Sequence, residues 1–278
     1  MHTLTERKKE KMKMKTFQKL IALTLAGVLC LGMLTACGGK DDPAQGLKTI
    51  QPGKLILSTN SDFPPYDMLA DNGAYEGIDY EVAEKLAEKL GLELVIDDMD
   101  FDAALLAVQN GQSDMVMAGV TVNEDRLAVM DFTDSYATGI QVVIVKEGSG
   151  VTMDNLGDYM IGTQLGTTGY IYASDTPEND GYGEDHVIGY AGGAIAVQAL
   201  INGQVDAVII DNLPAQEYVK ANPNAGLTIL EGEWVVEDYA IGVAKGNTQL
   251  KDALNKAMAE LIADGTFQEI VNKYIKAD

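Results

Sequence analysis

The sequence predicts an α/β protein of two similar lobes, each a mainly parallel sheet flanked by helices, joined by two crossover strands. Three observations predict it. Short apolar segments of strand length alternate with segments of helical periodicity, the pattern of a parallel sheet covered by helices. The run Asn110-Gly111-Gln112-Ser113-Asp114 is echoed later by Asn202-Gly203-Gln204-Val205-Asp206, each ahead of an apolar strand and after an apolar helix containing Val-Gln. Two more apolar segments, Gln141 to Val145 and Tyr239 to Ala244, bracket the second lobe and fit strands that pass between lobes.

The first 36 residues read as a secretory leader: a basic start from Arg7 to Lys19, then an apolar stretch from Leu20 to Ala36. It ends Leu34-Thr35-Ala36-Cys37-Gly38, which resembles the lipobox of bacterial lipoproteins, whose cysteine carries the lipid anchor. That places the protein outside the cytoplasm, lipid-anchored through Cys37 to the outer face of the cell membrane. Cys30 leaves with the leader, so no internal disulfide remains and stability must come from packing. Cleavage also removes seven basic and two acidic residues, moving the formal charge from −22 to −27. Such acidity excludes nucleic acid, whose binding rests on cationic contacts to phosphate.

Residues 37–52, rich in Gly, Asp and Lys, form a tether. Residues 53–138 and 240–278 make lobe 1, and residues 139–239 make lobe 2. In lobe 1, Lys54 to Thr59 is a strand, Ile78 to Leu90 a helix and Leu92 to Ile96 a strand. Asp102 to Gln109 is then a helix and Met115 to Ala118 a strand, and Asn123 caps a short helix that presents Arg126. Met160 to Gln164 opens lobe 2 as Leu55 to Asn60 opens lobe 1, and Thr167-Thr168 begin a helix after Gly166.

Arg126 is the one arginine left after the leader. A guanidinium grips a carboxylate through two parallel hydrogen bonds, which a lysine cannot do. In open α/β sheets ligands sit beyond the carboxyl ends of strands, so two facing lobes enclose a cleft. The echo places Gly119 and Asp211 at equivalent strand ends, both lining it. Arg126 and Thr121 on one side and Asp211 on the other suit a zwitterion, the ligand's carboxylate on Arg126 and its ammonium on Asp211 and the Gly119 carbonyl. The ligand class is an α-amino acid.

With those residues in hand, the chain from about Lys54 onward resembles the extracellular solute-binding proteins (family 3 type) of ABC importers for polar amino acids. The resemblance rests on Thr59-Asn60-Ser61-Asp62-Phe63-Pro64-Pro65-Tyr66, Gly77-Ile78-Asp79, Met99-Asp100-Phe101-Asp102, and Ala118 through Arg126 to Thr133. It also rests on Ile161 to Thr168, Val205 to Asp211, and Glu237-Asp238-Tyr239-Ala240. It implies the two-lobed periplasmic-binding-protein type II fold, with ligand contacts from Gly119, Thr121 and Arg126 in lobe 1 and Thr168 and Asp211 in lobe 2. Phe63 and Phe101 would pack on the ligand side chain, and Asn60, Gln164 and Ile210 would set specificity. It further implies hinge closure on the ligand and partnership of a monomer with an ABC permease and its ATPase.

Two neutral amides, Asn60 and Gln164, where relatives carry an acid or a lysine, favour an uncharged polar ligand such as glutamine. A basic amino acid stays open through Asp62 or Asp102, as does cystine. An enzyme on the same fold, dehydratase-like, would need a proton donor facing the cleft, for which Glu237 is the candidate; His186 reads as a surface residue. No histidine cluster or calcium-loop spacing suggests a metal, and no cofactor is called for.

Overall fold

The computed structural model describes residues 47–275; the leader and Cys37 lie outside them. The strands are β1 (Lys54–Thr59), β2 (Asp62–Phe63), β3 (Asp67–Leu69), β4 (Tyr75–Glu76), β5 (Glu93–Asp98), β6 (Met115–Val116) and β7 (Met130–Phe132). They continue with β8 (Ala137–Lys146), β9 (Ile161–Gln164), β10 (Val187–Tyr190), β11 (Ala207–Asp211), β12 (Leu227–Ile229), β13 (Val235–Tyr239) and β14 (Gly242–Ala244). The helices are α1 (Ile78–Leu90), α2 (Phe101–Gln109), α3 (Glu124–Val129), α4 (Thr168–Ser174), α5 (Gly193–Ile201), α6 (Asn212–Ala221), α7 (Thr248–Ala263) and α8 (Thr266–Tyr274).

One main sheet has the order β5-β1-β6-β14-β7 and the other β10-β9-β11-β8-β12, with β13 also paired to β8. In each, three neighbouring strands run parallel: β5, β1 and β6 in the first, β10, β9 and β11 in the second. Apolar clusters cover both faces of each sheet, which is why β1 reads as an unbroken Leu55-Ile56-Leu57 run rather than as an alternation. The strands flanking the crossings, β7 with β14 and β8 with β13, are antiparallel to their neighbours.

The first crossing differs from the sequence expectation. Gln141 to Val145 lies inside the ten-residue β8, deep in the second sheet, and the chain changes lobe earlier, between Phe132 and Ala137. The second crossing falls within Tyr239 to Ala244, where Tyr239 ends β13 in one sheet and Gly242 begins β14 in the other. The two crossings bond to each other through Thr133 N to Ile241 O (3.0 Å) and Tyr136 N to Tyr239 O (2.9 Å).

The sequence echo has a physical cause. Asn110 and Asn202 each end a helix, and Gly111 (φ +68°) and Gly203 (φ +73°) follow in the left-handed region that glycine tolerates. The closing aspartates then tie each strand to the first strand of its lobe. Asp114 accepts from Ile50 N and Ile56 N (both 2.8 Å), and Asp206 accepts from Met160 N (3.0 Å). The motif therefore fixes register between the opening strand and the strand that ends at the cleft.

Across the cleft mouth, the Asp62 carboxylate accepts from Ala194 N (3.1 Å), at the start of α5, and from the Tyr218 hydroxyl (2.9 Å). A Cβ at Gly192 would stand 2.2 Å from Asp62 Oδ2, so glycine makes the approach possible. These contacts join a lobe 1 loop to two lobe 2 helices.

Two outcomes test this arrangement. Asp114→Ala leaves two backbone N–H groups without their acceptor and should lower stability in urea titration by about 1–3 kcal/mol, whereas Asp206→Ala, which removes one bond from an exposed side chain, should lower it less. Gly192→Ala should part the lobes and raise the radius of gyration in small-angle scattering with circular dichroism unchanged; an unaltered radius would speak against the Asp62 contact as a latch.

Candidate functional site

The cleft between the lobes holds a cavity of about 350 Å³, counting its open mouth. Its wall includes Asn60, Phe63, Phe101, Gly119, Thr121, Arg126, Gln164, Thr168 and Asp211, together with Ala118, Gln141 and Thr167. Every side chain the sequence singled out for ligand contact is there except Ile210. That residue belongs to the apolar cluster of lobe 2 and packs beside Gly193, because alternation along β11 turns it to the sheet face opposite Asp211's neighbour Ile209.

Arg126 is presented by α3, whose N-cap Asn123 accepts from Arg126 N at 2.9 Å. The residue is buried, 6% exposed. Nη1 donates to Thr121 O (2.8 Å) and Nη2 to Gly166 O in the other lobe (3.1 Å), and Cζ lies 5.4 Å from the centre of the Phe101 ring. Among the described residues no carboxylate lies within ion-pair distance of it. Burial pulls its pKa down, opposed by the charges of Glu237, Tyr172 and Asp211, but a guanidinium stays protonated in proteins.

Gly119 adopts φ +57°, and a Cβ there would meet Phe63 Cε1 at 2.4 Å. Its N–H donates to Asp79 Oδ2 (3.0 Å), which also accepts from the Tyr136 hydroxyl (2.9 Å). Burial pushes Asp79 up to about 6, and the Gly119 and Tyr136 donors hold it from rising further. Asp67, beside it, is pushed well above the carboxylate range by burial and by Asp79's charge. Phe63 serves both core and cavity: it stacks on Tyr66 (5.5 Å) and meets Tyr239 edge-on (6.2 Å).

On the facing wall, Asp211 stands at the N-cap position of α6 but makes no side-chain capping bond. Its carboxylate instead accepts a hydrogen bond from the Tyr239 hydroxyl. Burial pushes its pKa up to about 7; the Tyr239 bond pulls it down and Glu237 pushes it further up. Asn60 and Gln164 meet across the cleft, Gln164 Nε2 donating to Asn60 Oδ1 at 3.0 Å, while Asn60 Nδ2 donates to Met99 O at 2.9 Å. Asp62 and Asp102, the two acids kept open for a basic ligand, do not line the cavity. Asp62 is engaged with Ala194 and Tyr218, and Asp102 accepts from Ala103 N.

Sequence reasoning missed Gln141 as a wall residue and Glu237 as its neighbour. Glu237 Oε2 accepts from Thr121 Oγ1 (2.9 Å), Gln141 Nε2 (3.1 Å) and Thr168 Oγ1 (2.9 Å). A signal was available for Gln141, a polar residue ahead of the apolar run Val142 to Val145, because buried polar groups need partners; Glu237, next to Asp238, carried no such mark. His186 ends a 3-10 turn ahead of β10 and does not line the cavity.

A protonated fork on one wall and a carboxylate on the other, with apolar rings between, suits a small ligand bearing both charges. Comparison with known proteins agrees. The chain is 31% identical over 262 residues, 92% of this chain and 95% of the other, to a probable histidine-binding protein of Neisseria gonorrhoeae. It superposes on an ancestral arginine-binding protein bound to arginine with a TM-score of 0.74 and 38% identity, covering 80% of this chain and 98% of that one. With the ancestral protein bound to glutamine the TM-score is 0.75 and the identity 36%, covering 82% and 100%. Residues 55–277 match the bacterial extracellular solute-binding proteins, family 3. The chain belongs to that family, among the type II solute-binding proteins that serve amino acid ABC transporters, and is a binding protein rather than an enzyme.

Proposed function

We propose that the cleft binds one α-amino acid with an uncharged polar side chain, glutamine foremost, and hands it to an ABC importer. The observation that carries the reading is the buried, unpaired Arg126 facing Asp211 across a small cavity. Burying a cation is costly unless it is paired and hydrogen-bonded. The ligand's carboxylate supplies the pair, and its ammonium meets Asp211 and the Gly119 carbonyl. Thr121 and Thr168 lie alongside.

The side-chain end of the cavity supports a neutral ligand. Asn60 and Gln164 bond to each other and still hold unused amide valence of both kinds, N–H and C=O, which complements a primary amide. Phe63 and Phe101 supply apolar surface for the methylenes. Apart from Arg126 and Asp211, no ionisable side chain lines the cavity, so a cationic side chain would find no carboxylate there. The basic reading has support of its own, since an ancestral arginine-binding relative was captured with arginine as well as with glutamine.

The remaining assignments belong to the same reading. The protein acts as a monomer whose two lobes close on the ligand, and Cys37 holds it to the membrane beside its permease. The lipobox-like run at Cys37 and the tether that follows it support the last point.

A thermal-shift screen across the amino acids should single out a ligand, because one that binds only the folded state raises the melting temperature. Calorimetry with Arg126→Lys should then show affinity reduced about a hundredfold, as expected from losing a bidentate charge-assisted pair while keeping the charge; tight binding by that variant would sink the clamp. Affinity should also depend on pH. Asp211, at about 7 without ligand, must be ionised to hold an ammonium, and the ammonium lowers its pKa in the complex. Protons therefore compete with ligand: binding is full above pH 7 and weakens as pH falls below it, approaching about tenfold per unit. A dissociation constant flat from pH 8 to 5.5 would remove Asp211 from the ammonium site.

A further inference from the structure

Glu237 does not line the cavity, yet five of the residues that do are governed by it. Its Oε2 receives hydrogen bonds from Thr121 in lobe 1 and from Gln141 and Thr168 in lobe 2. Its Oε1 is buried and has no hydrogen-bond partner among the described residues. Arg126 and Asp211 both feel its charge. Three donors converging on one oxygen mark a carboxylate.

Two consequences follow from elementary chemistry. A hydroxyl has one proton, and Thr121 and Thr168 each commit theirs to Glu237, so what they have left for a ligand carboxylate is the backbone N–H. The second consequence is a charge count. Arg126 brings one positive charge, while Asp211 and Glu237 bring two negative ones. A zwitterion with a neutral side chain leaves that balance as it was, a basic one neutralises it, and an acidic one adds a second uncompensated negative charge where water screens little.

We propose that Glu237 is a positioning and specificity residue of the site: by taking the hydroxyl protons of Thr121 and Thr168 and leaving acids in excess over Arg126, it turns away acidic amino acids. The role is a repulsive element, discriminating against a ligand nearly isosteric with glutamine. It rests on the reading of the cavity as an amino acid site.

The test is Glu237→Gln, of nearly equal size and without charge, with exposed Glu233→Gln as control. Four probes pair charge with shape: L-glutamine against L-glutamate, and L-citrulline against L-arginine, measured calorimetrically or by competition at pH 8. In Glu237→Gln the dissociation constant of glutamate relative to glutamine should fall about tenfold, and that of citrulline relative to arginine should fall likewise, as removal of one like charge at protein dielectric implies. A purely structural role would weaken both members of a pair alike and leave the ratios unchanged. A ligand-free readout accompanies it: the ¹³C carboxyl titration of Asp211, which burial pushes up to about 7, should move down in Glu237→Gln and stay in Glu233→Gln. Wild-type protein that binds none of the four refutes the glutamine and arginine readings, and the Asp211 midpoint then decides the role of Glu237. Ratios unchanged in the variant, or in the absence of binding an Asp211 midpoint that stays put, overturn the proposal.

Discussion

A guanidinium buried without a carboxylate partner is the constraint around which this cleft is built. Arg126 is satisfied on two of its donors by carbonyls, one from each lobe, and on its face by Phe101. Each support has a local cause. Asn123 caps the short helix that aims the side chain. Gly166, at φ +77°, lets the lobe 2 loop come close enough to offer its carbonyl, since a Cβ there would stand 2.8 Å from Asp102 Cβ. Phe101 begins α2 and is held in the lobe 1 core. The charge itself is balanced at a distance by Glu237 and Asp211.

Closure then becomes a question of which contacts exist only when the lobes meet. Arg126 to Gly166, Gln164 to Asn60, and Asp62 to Ala194 and Tyr218 all span the cleft. The first two adjoin the cavity; the third does not. A ligand shifts an open–closed equilibrium only by its differential affinity for the two states. In the proposed reading, the Asp62 contacts would set the starting point of such an equilibrium without touching the ligand, and the Arg126 and Asp211 walls would set how far a ligand can move it. Thr121 bridges to Tyr239 at the second crossing, so the Glu237 cluster sits where the chain passes between the sheets and holds hydroxyls from both lobes.

Much of this was legible in the sequence because it rests on local rules. Helix α1 and strand β1 begin and end where periodicity and the flanking glycines Gly53, Gly77 and Gly91 place them. The Asn-Gly-Gln echo marked two equivalent helix-to-strand turns, and from it the opposition of Gly119 and Asp211 could be argued. What was not legible depends on long-range pairing. The first crossover was misplaced because β8 is apolar along its length in either sheet, and only its pairing with β11, β12 and β13 decides where the chain leaves lobe 1. Ile210 was misassigned by one step of strand alternation. Glu237 was read as a possible acid for catalysis because its three hydrogen-bond donors come from residues 69, 96 and 116 positions away.

Ligand identity was the least legible feature, and the structure shows why. The proposed clamp for the α-amino and α-carboxyl groups uses charges, which a sequence displays openly. The side-chain end uses Asn60 and Gln164, two neutral amides already bonded to each other. An amide presents donor and acceptor on the same group and exchanges them by a flip, so the pair can answer several polar side chains with no change in residue type. The pair thus suits a neutral side chain, but discrimination by charge does not rest on it alone. It falls also to buried groups behind the wall, and among those Glu237 is the one whose charge reaches both Arg126 and Asp211. On the proposed role of Glu237, the selectivity of such a cleft is written less in the side chains that touch the ligand than in a carboxylate behind them that decides what charge the cavity will tolerate.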